Sequence, residues 1–211
     1  MTIQPGWDAV YVADQPPPWD IGRPQPVFER LADQGLLRGR LLDAGCGTGE
    51  NTMMAAAHGA DALGVDVAPN AITQARRKAA ERGSAARFEV ADVLDLGRMG
   101  LIADTVVDSG VFHVFDDEDR ARYVASLAAV TRPGAMCYLL CFSDRQPGTM
   151  GPRRITQDEL TTAFRDGWVI AGITAETFAV NFGGASEAQA WLATIERARS
   201  DEPAGGGGSG S

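Results

Sequence analysis

The sequence has no uninterrupted apolar run that approaches the roughly twenty residues a membrane-spanning helix needs. Residues 1–14 also have neither the basic start nor the apolar stretch of an export signal. These absences exclude the usual membrane-spanning and secreted classes. We therefore expect a cytoplasmic protein without a membrane partner.

Cysteine is scarce as well. Cys46, Cys137 and Cys141 are an odd number, and they lack the paired spacing of a disulfide framework or a structural zinc site. This usage fits a reducing compartment, and it again predicts a cytoplasmic location.

Basic residues are also few. The 28 acidic side chains outnumber the 19 basic ones, the formal net charge is −9, and no run of Lys or Arg interrupts this balance. Because such a chain repels phosphate backbones, nucleic acid is not an expected partner. No pattern in the sequence indicates an oligomeric state.

A chain of 211 residues, 45% of them hydrophobic, can bury one core of ordinary size. Residues 1–26 are rich in proline and aromatic residues, and the PPP run at 16–18 forms a stiff stem before Trp19, so we expect a lid segment. The tail 201–211 contains GGGGSGS, which is typical of a flexible linker. The predicted folded domain is residues 27–200.

Within that domain, short apolar runs alternate with segments of helical periodicity. Such alternation requires right-handed crossovers and a mostly parallel sheet, so we predict a doubly wound α/β fold with helices on both faces. Strands are predicted at residues 40–44, 62–65, 86–90, 105–108, 135–142, 168–170 and 174–180, the last two as a hairpin-like pair, and helices from the glycine turn to about 59, over 69–82 before Gly83, and over 117–131.

Two capping signatures lie further along the chain. Thr156 and Glu159 have the spacing of a capping box and predict one more helix. Ser186 and Gln189 repeat that spacing and predict a final helix over residues 190–198.

The strongest signal is LLDAGCGTGE at residues 41–50, where a buried strand leads through a glycine turn into a helix. Glycine allows a sharp turn and a close approach of ligand to backbone. The spacing is GxGxG, whereas a dinucleotide site has GxGxxG and binds pyrophosphate. Asp43 before the turn and Glu50 after it would repel that anion and attract a cationic ligand. A nicotinamide oxidoreductase is therefore disfavoured.

Two more acids follow neighbouring strands. Asp66 ends the second strand in LGVD, and Asp92 ends the third in VADV. In open α/β sheets ligands bind beyond the carboxyl ends of the strands, where a carboxylate grips the ribose hydroxyls. Any one of these acids could be a helix cap. Together with Asp43, and in register with the glycine turn, they favour a ligand site.

Through LLDAGCGTGE, LGVD, VADV, the strand DTVVDSG and the turn RPGA, the chain resembles the class I S-adenosylmethionine-dependent methyltransferases over about residues 19–180. The resemblance implies a mostly parallel seven-stranded sheet with an antiparallel last strand. It also implies S-adenosyl-L-methionine as the cofactor.

The same resemblance implies which residues hold the cofactor. The methionine end is expected along the glycine turn, the ribose on the acid that ends the second strand, and the adenine beside the end of the third. The expected cofactor-binding residues are Trp19, Asp43, Gly45, Cys46, Gly47, Thr48, Asp66, Val67, Asp92, Val93 and Ser109.

The segment PWDIGRPQP at 18–26 and the run DSGVFH at 108–113 resemble a narrower branch, the thiopurine and halide or thiol methyltransferases. They are similar to the actinobacterial heterocyclic toxin methyltransferases, which modify quinolone-like and benzoquinoid compounds. The implied activity is detoxification-like methyl transfer to O or N of a small aromatic or heterocyclic molecule. Trp19 would cover the cationic cofactor with its ring face; the alternative is a surface connector with one buried Trp.

His113 is the candidate catalytic residue. It follows the fourth strand beside the expected methyl-bearing end, and a histidine there has the near-neutral pKa that suits proton removal from an acceptor. The alternative is a histidine that merely packs beside Phe112 and Phe115.

The acceptor should be a small molecule. No long insertion follows the fifth strand, so the short loop 143–154 and the lid segment must cover the acceptor. Arg153 and Arg154 in this loop could meet an anionic group on a substrate, but they are interpreted as solvated loop residues. The acid run 116–119 is interpreted as the first turn of a helix, so no metal is expected. Two rival functions stay open: a halide or thiol methyltransferase, and a non-catalytic protein that binds S-adenosylmethionine.

Overall fold

The computed structural model describes residues 6–12, 16–182 and 184–199. The Gly/Ser tail predicted at 201–211 and the start of the lid segment lie outside these residues. The strands are β1 Arg40–Ala44, β2 Asp61–Asp66, β3 Arg87–Val90, β4 Ala103–Ser109, β5 Thr131–Phe142, β6 Trp168–Phe182 and β7 Ala185–Arg197, and the α-helices are α1 Pro26–Asp33, α2 Glu50–Ala57, α3 Pro69–Arg82, α4 Asp117–Val130 and α5 Gln157–Ala163. Three 3₁₀ segments add Ala9–Tyr11, Val93–Met99 and Phe112–Val114.

The seven strands form one sheet in the order β3-β2-β1-β4-β5-β7-β6. Strands β1 to β5 pair in parallel, and β7 is antiparallel to both of its neighbours. The predicted doubly wound fold with an antiparallel last strand is confirmed. Ala44 at the end of β1 is level with Val65 of β2 and Asp108 of β4, so the carboxyl ends of these strands open on one edge of the sheet.

Both faces of the sheet are covered by apolar side chains. Along β5, Leu139 belongs to the core that includes Tyr123 and Leu127, whereas the next residue, Leu140, belongs to the core that includes Phe28. Successive side chains of a strand point to opposite faces, so a strand with a core on each side reads as a continuous apolar run. This explains why the central strands were recognisable from their sequence.

Several predicted boundaries agree with the structure. The helix predicted over 69–82 is α3, and Gly83 ends it with φ +63°. The capping box is present at the start of α5, where the Thr156 hydroxyl accepts from the Glu159 N–H and the Glu159 carboxylate accepts from the Thr156 N–H. The acid run 116–119 begins α4, with Asp116 as its N-cap.

Two predictions for the C-terminal part were wrong. The hairpin-like pair at 168–170 and 174–180 is one continuous strand, β6. The helix predicted over 190–198 from Ser186 and Gln189 is the strand β7, which pairs with β5 on one side and with β6 on the other.

Burial on both faces of β7 explains the second error. Trp191 and Ala193 enter one core, while Ala190 and Leu192 enter the other. When the residues on both faces of a strand are apolar, the sequence does not show the alternation of period two that is typical of a strand. Pairing with the neighbouring strands then overrides the local propensity for helix.

None of the helices in the described ranges is both long enough and apolar enough to cross a membrane.

Gly64 is expected to tolerate no side chain. A Cβ there would lie 2.6 Å from Thr52 Oγ1 and 2.8 Å from both Cys46 Sγ and Phe88 Cδ1. We expect Gly64→Ala to lower the free energy of unfolding by about 1–3 kcal/mol, as measured by urea denaturation. Gly172, a strand glycine with no atom within 4 Å of its added Cβ, is the matched control, and Gly172→Ala should be neutral. Equal stability of the two variants would contradict this packing account.

Candidate functional site

A cavity of about 1520 Å³ lies over the carboxyl ends of the parallel strands. The glycine turn between β1 and α2 forms one side, and aromatic side chains from β5 and β6 form the other. Eleven of the twelve predicted site residues line this cavity: Trp19, Gly45, Cys46, Gly47, Thr48, Asp66, Val67, Asp92, Val93, Ser109 and His113. The twelfth, Asp43, does not.

The glycine turn is shaped by its glycines and by one carboxylate. Gly45 has φ +71°, and a Cβ there would lie 2.2 Å from Val111 Cγ2, so neither backbone nor space permits a side chain. Asp66 accepts hydrogen bonds from the Gly47 N–H at 2.9 Å and the Ala68 N–H at 2.9 Å. Burial raises the pKa of Asp66. The same carboxylate thus fixes the turn and faces the cavity.

Asp43 lies beneath the turn and is fully buried. One of its oxygens accepts from the Thr52 hydroxyl at 2.6 Å, and the other, Oδ1, has no hydrogen-bond partner in the described residues. Burial, with a smaller contribution from the negative charge of Asp108, raises the pKa of Asp43 to about 7. A buried carboxylate with an unsatisfied oxygen favours a positive charge nearby.

The charge of Glu50 is compensated, which differs from the sequence interpretation. Its carboxylate accepts from Lys78 at 2.9 Å and from Arg82 at 2.7 Å. Burial alone would raise the pKa of Glu50, but these hydrogen bonds and charges lower it overall. Since Asp43 is also buried, the turn is less anionic than its sequence suggests, and the expected repulsion of pyrophosphate is weaker.

The lid segment lies against the glycine turn. Trp19 Nε1 donates to the Tyr11 hydroxyl at 3.2 Å, and that hydroxyl lies 3.1 Å from the position a Cβ on Gly47 would take. The Thr48 hydroxyl donates to Asp20 at 2.8 Å. Tyr11 also lines the cavity, and sequence reasoning missed it. Its only signal was the aromatic content of the segment.

The Asp8 carboxylate anchors this segment to α3. It accepts from the Asn70 backbone N–H at 2.7 Å and from the Asn70 side chain at 2.6 Å. The N-cap residue of α3, Ala68, offers no side-chain cap, so Asp8 satisfies a free N–H of that helix from a distant part of the chain.

His113 forms the opposite wall together with Phe142 and Phe178. Its ring lies edge-on to Phe142 with centroids 5.2 Å apart, and Phe142 lies edge-on to Phe178 at 5.4 Å. Sequence reasoning did not identify either phenylalanine, because they come from two strands far apart in the chain.

The hydrogen bonding of His113 determines which ring nitrogen carries the proton. Nδ1 accepts from the Phe142 backbone N–H at 3.0 Å, so the proton of the neutral ring is on Nε2. Burial, with the positive charges of Arg154 and Arg120, lowers the pKa of His113 to about 3. The ring is therefore neutral at physiological pH, and its free N–H is a hydrogen-bond donor.

Asp108 supports the loop that carries His113. Its carboxylate accepts from the Val111 N–H at 2.7 Å, the Phe112 N–H at 3.1 Å and the Tyr123 hydroxyl at 2.9 Å. Burial raises the pKa of Asp108 to about 7.

The two arginines of the loop after β5 are exposed and half-buried, respectively, but both guanidinium groups have partners within the protein, which the sequence did not indicate. Arg153 pairs with Asp117 at 2.8 Å and also with Glu159. Arg154 donates to backbone carbonyls of its own loop, at 2.6 Å to Pro152. Within the described residues, no group of three His, Cys, Asp or Glu side chains is arranged to hold a metal ion.

A family model described as a methyltransferase domain matches residues 41–134 of the chain. The 2-heptyl-1-hydroxyquinolin-4(1H)-one methyltransferase of Mycobacteroides abscessus is 36% identical over 175 residues, which are 80% of this chain and 75% of that protein. A probable thiol methyltransferase of Arabidopsis thaliana is 27% identical over 65% of this chain and 61% of its own length.

Among solved structures, one from work on the conversion of a disulfide bond into a thioacetal group during echinomycin biosynthesis has a TM-score of 0.81 and 37% identity. The match covers 90% of this chain and 91% of that one. The likeness therefore extends over most of both chains.

Replacing Asp43 with asparagine tests its buried charge. Since burial raises the pKa of Asp43 to about 7, above its unfolded value, its contribution to stability is present below pH 4 and is lost as the pH rises through 7. We expect Asp43→Asn to flatten the pH dependence of the free energy of unfolding between pH 4 and 8. At pH 8 the variant should exceed the wild type by on the order of 1–3 kcal/mol.

Urea denaturation across this pH range measures the effect. The exposed Asp61, which pairs with Arg87 at 2.7 Å, is the control, and Asp61→Asn should leave the curve parallel to that of the wild type. A parallel curve for Asp43→Asn would contradict the assignment.

Proposed function

Because the chain belongs to the S-adenosylmethionine-dependent methyltransferases, we propose that it transfers a methyl group to an oxygen or nitrogen of a small aromatic heterocycle. One observation carries the proposal: the cavity that contains the glycine turn continues to the aromatic wall of His113, Phe142 and Phe178. Cofactor and acceptor would thus share one cavity. Support also comes from the M. abscessus relative, whose name specifies a hydroxyquinolone as its acceptor.

The residues present fit S-adenosylmethionine. The bare backbone at Gly45 and Gly47 gives the close approach that its methionine end requires, and the buried carboxylate of Asp43 beneath the turn would favour a positive charge above it. Asp66 is positioned for the ribose hydroxyls, and the adenine would lie between Val67 and the turn at Asp92 and Val93, with Cys46 and Ser109 beside the cofactor. Tyr11 and Trp19 of the lid segment would cover it.

When bound, the cofactor supplies an electrophilic methyl group on a sulfonium. The protein has to align the acceptor with that group and exclude water. The flat rings of Phe142 and Phe178 provide apolar surfaces for a planar acceptor. The Nε2–H of His113 is available to hold an acceptor oxygen, and its ring has no basic nitrogen free to remove a proton. We infer that His113 orients the acceptor, and that the acceptor releases its proton to solvent.

We further propose that this activity is cytoplasmic and that nucleic acid is not a substrate. The three cysteines are all buried and unpaired, which fits a reducing compartment. The net charge of −9 opposes binding to a phosphate backbone.

Sulfur is the second candidate acceptor. The 37% identical structure comes from work on a sulfur-containing product, and a probable thiol methyltransferase is also related. The two candidates differ in a single measurable property, the element that receives the methyl group.

The test is to titrate the purified protein with S-adenosylmethionine by calorimetry and then offer acceptors. We expect binding, and formation of S-adenosylhomocysteine with a 1-hydroxyquinolin-4-one or a related hydroxylated heterocycle. Turnover with only an aliphatic thiol or iodide would identify the enzyme as a thiol or halide methyltransferase. Binding without turnover on any acceptor would favour a non-catalytic protein.

Replacing Asp66 should weaken cofactor binding, because the ribose hydroxyls lose their acceptor and the turn loses its bond to Gly47. We expect Asp66→Ala to raise the dissociation constant of S-adenosylmethionine by at least about tenfold in calorimetry. Asp61→Ala, at the opposite end of β2, is the control and should bind as the wild type does. Unchanged affinity of Asp66→Ala would refute the ribose assignment.

Replacing His113 should impair the use of the acceptor and leave the binding of the cofactor unchanged. We expect His113→Ala to retain the affinity for S-adenosylmethionine and to lower kcat/KM for the acceptor by roughly tenfold, the effect of one lost hydrogen bond. Since the pKa of His113 is about 3, the shape of the pH profile of kcat/KM between pH 5 and 9 should be the same in both proteins. A limb of that profile that disappears in the variant would instead identify His113 as a general base.

A further inference from the structure

The loop between β5 and α5, residues 144–154, closes the acceptor side of the cavity, and we refer to it as the acceptor loop. Its two ends are tied together, because the Asp144 N–H donates to the Ile155 carbonyl at 3.0 Å and the Ile155 N–H donates to the Phe142 carbonyl at 2.9 Å. Most of its residues line the cavity. A loop with joined ends takes its shape from contacts inside it.

Those internal contacts converge on one side chain, the guanidinium of Arg154. Its Nε donates to the Gln146 carbonyl at 3.2 Å, and its Nη1 donates to the Pro152 carbonyl at 2.6 Å. Its Nη2 donates to the Met150 carbonyl at 2.9 Å and to the Gly148 carbonyl at 3.3 Å. A single group with N–H donors in a fixed plane therefore connects both arms of the loop.

The same guanidinium also touches the acceptor wall. It lies 5.4 Å from the centroid of the Phe142 ring, and Phe142 in turn contacts His113 and Phe178. Arg154 thus stands between the backbone of the acceptor loop and the aromatic surface proposed to hold the acceptor.

We propose that Arg154 is a positioning residue that determines acceptor specificity by folding the acceptor loop into a fixed wall, with its charge used on backbone carbonyls and not on the substrate. This rests on the proposed function, since it assigns the acceptor to the space beneath the loop. The neighbouring arginines are engaged as well: Arg153 pairs with Asp117, and Arg145 lies over Trp191 at 4.5 Å. The arginines of the acceptor loop are consequently engaged with protein groups, and this loop selects the acceptor by shape.

Substitution of Arg154 by lysine distinguishes the shaping of the loop from a simple effect of positive charge. A lysine keeps the positive charge but is a point donor on a flexible stem, so it cannot reach carbonyls on both arms of the loop in one plane. If Arg154 shapes the loop, Arg154→Lys and Arg154→Ala should be similarly impaired. If Arg154 binds an anionic substrate, lysine should retain much of the wild-type affinity.

The experiment compares the wild type, Arg154→Lys, Arg154→Ala and the matched control Arg145→Lys, which alters an arginine of the same loop that does not line the cavity. The acceptor used is the 1-hydroxyquinolin-4-one. If the enzyme methylates only sulfur, the aliphatic thiol replaces it. Failure of the proposed function therefore changes the acceptor used, while the comparison among the four proteins stays the same. We expect both Arg154 variants to raise the acceptor KM at least about tenfold. The affinity for S-adenosylmethionine should stay within about twofold in all four proteins, and the control should match the wild type.

Two further measurements complete the test. The rise in KM of the Arg154 variants should be equal for a neutral acceptor and for its carboxylate-bearing analogue, because the substitution changes the shape of the loop and not a contact with the acceptor's charge. Digestion by proteinase K in the presence of S-adenosylhomocysteine should cut residues 144–154 at least about tenfold faster in Arg154→Lys, which reports on the loop without turnover. An unchanged KM and cleavage rate in Arg154→Lys would overturn the proposal, as would a loss confined to the anionic acceptor.

Discussion

Burial of carboxylates at the ends of parallel strands is the constraint on which the rest of this site depends. Level strand ends bring Asp43, Asp66 and Asp108 to one edge of the sheet, where each charge needs partners. Backbone N–H groups supply them for Asp66 and Asp108, and in doing so they fix the glycine turn and the loop before His113. The third, Asp43, keeps one oxygen without a hydrogen-bond partner in the described residues.

The first part of the fold was readable from the sequence because its signals are local. Strand β1 and helix α3 were predicted with their observed ends, since glycine, proline and apolar periodicity act within a few residues. Strands β6 and β7 were not, because apolar residues on both faces of β7 conceal its period. Only the pairing with β5 and β6, within the C-terminal part of the chain, makes that segment a strand.

The site follows the same division. Motif spacing located the cofactor side, where ten of the eleven expected cofactor-binding residues line the cavity. It misjudged the charge of Glu50, whose partners Lys78 and Arg82 are distant in the sequence. On the acceptor side it identified His113 but neither Phe142 nor Phe178, since these two rings meet only after the sheet has formed. Arg154 illustrates the limit most clearly, because a basic residue in a loop gives no sign of binding backbone carbonyls.

The position of β7 between β5 and β6 has a consequence for synthesis at the ribosome. Strand β6 pairs with β7 and with no other strand in the described part of the sheet, so it has to wait for a segment that is translated after it. Strands β1 to β5 and the glycine turn are translated earlier. Phe178, carried by β6, is held in the sheet only once β7 has paired with β6. The last strand to be translated therefore completes the aromatic wall opposite the glycine turn.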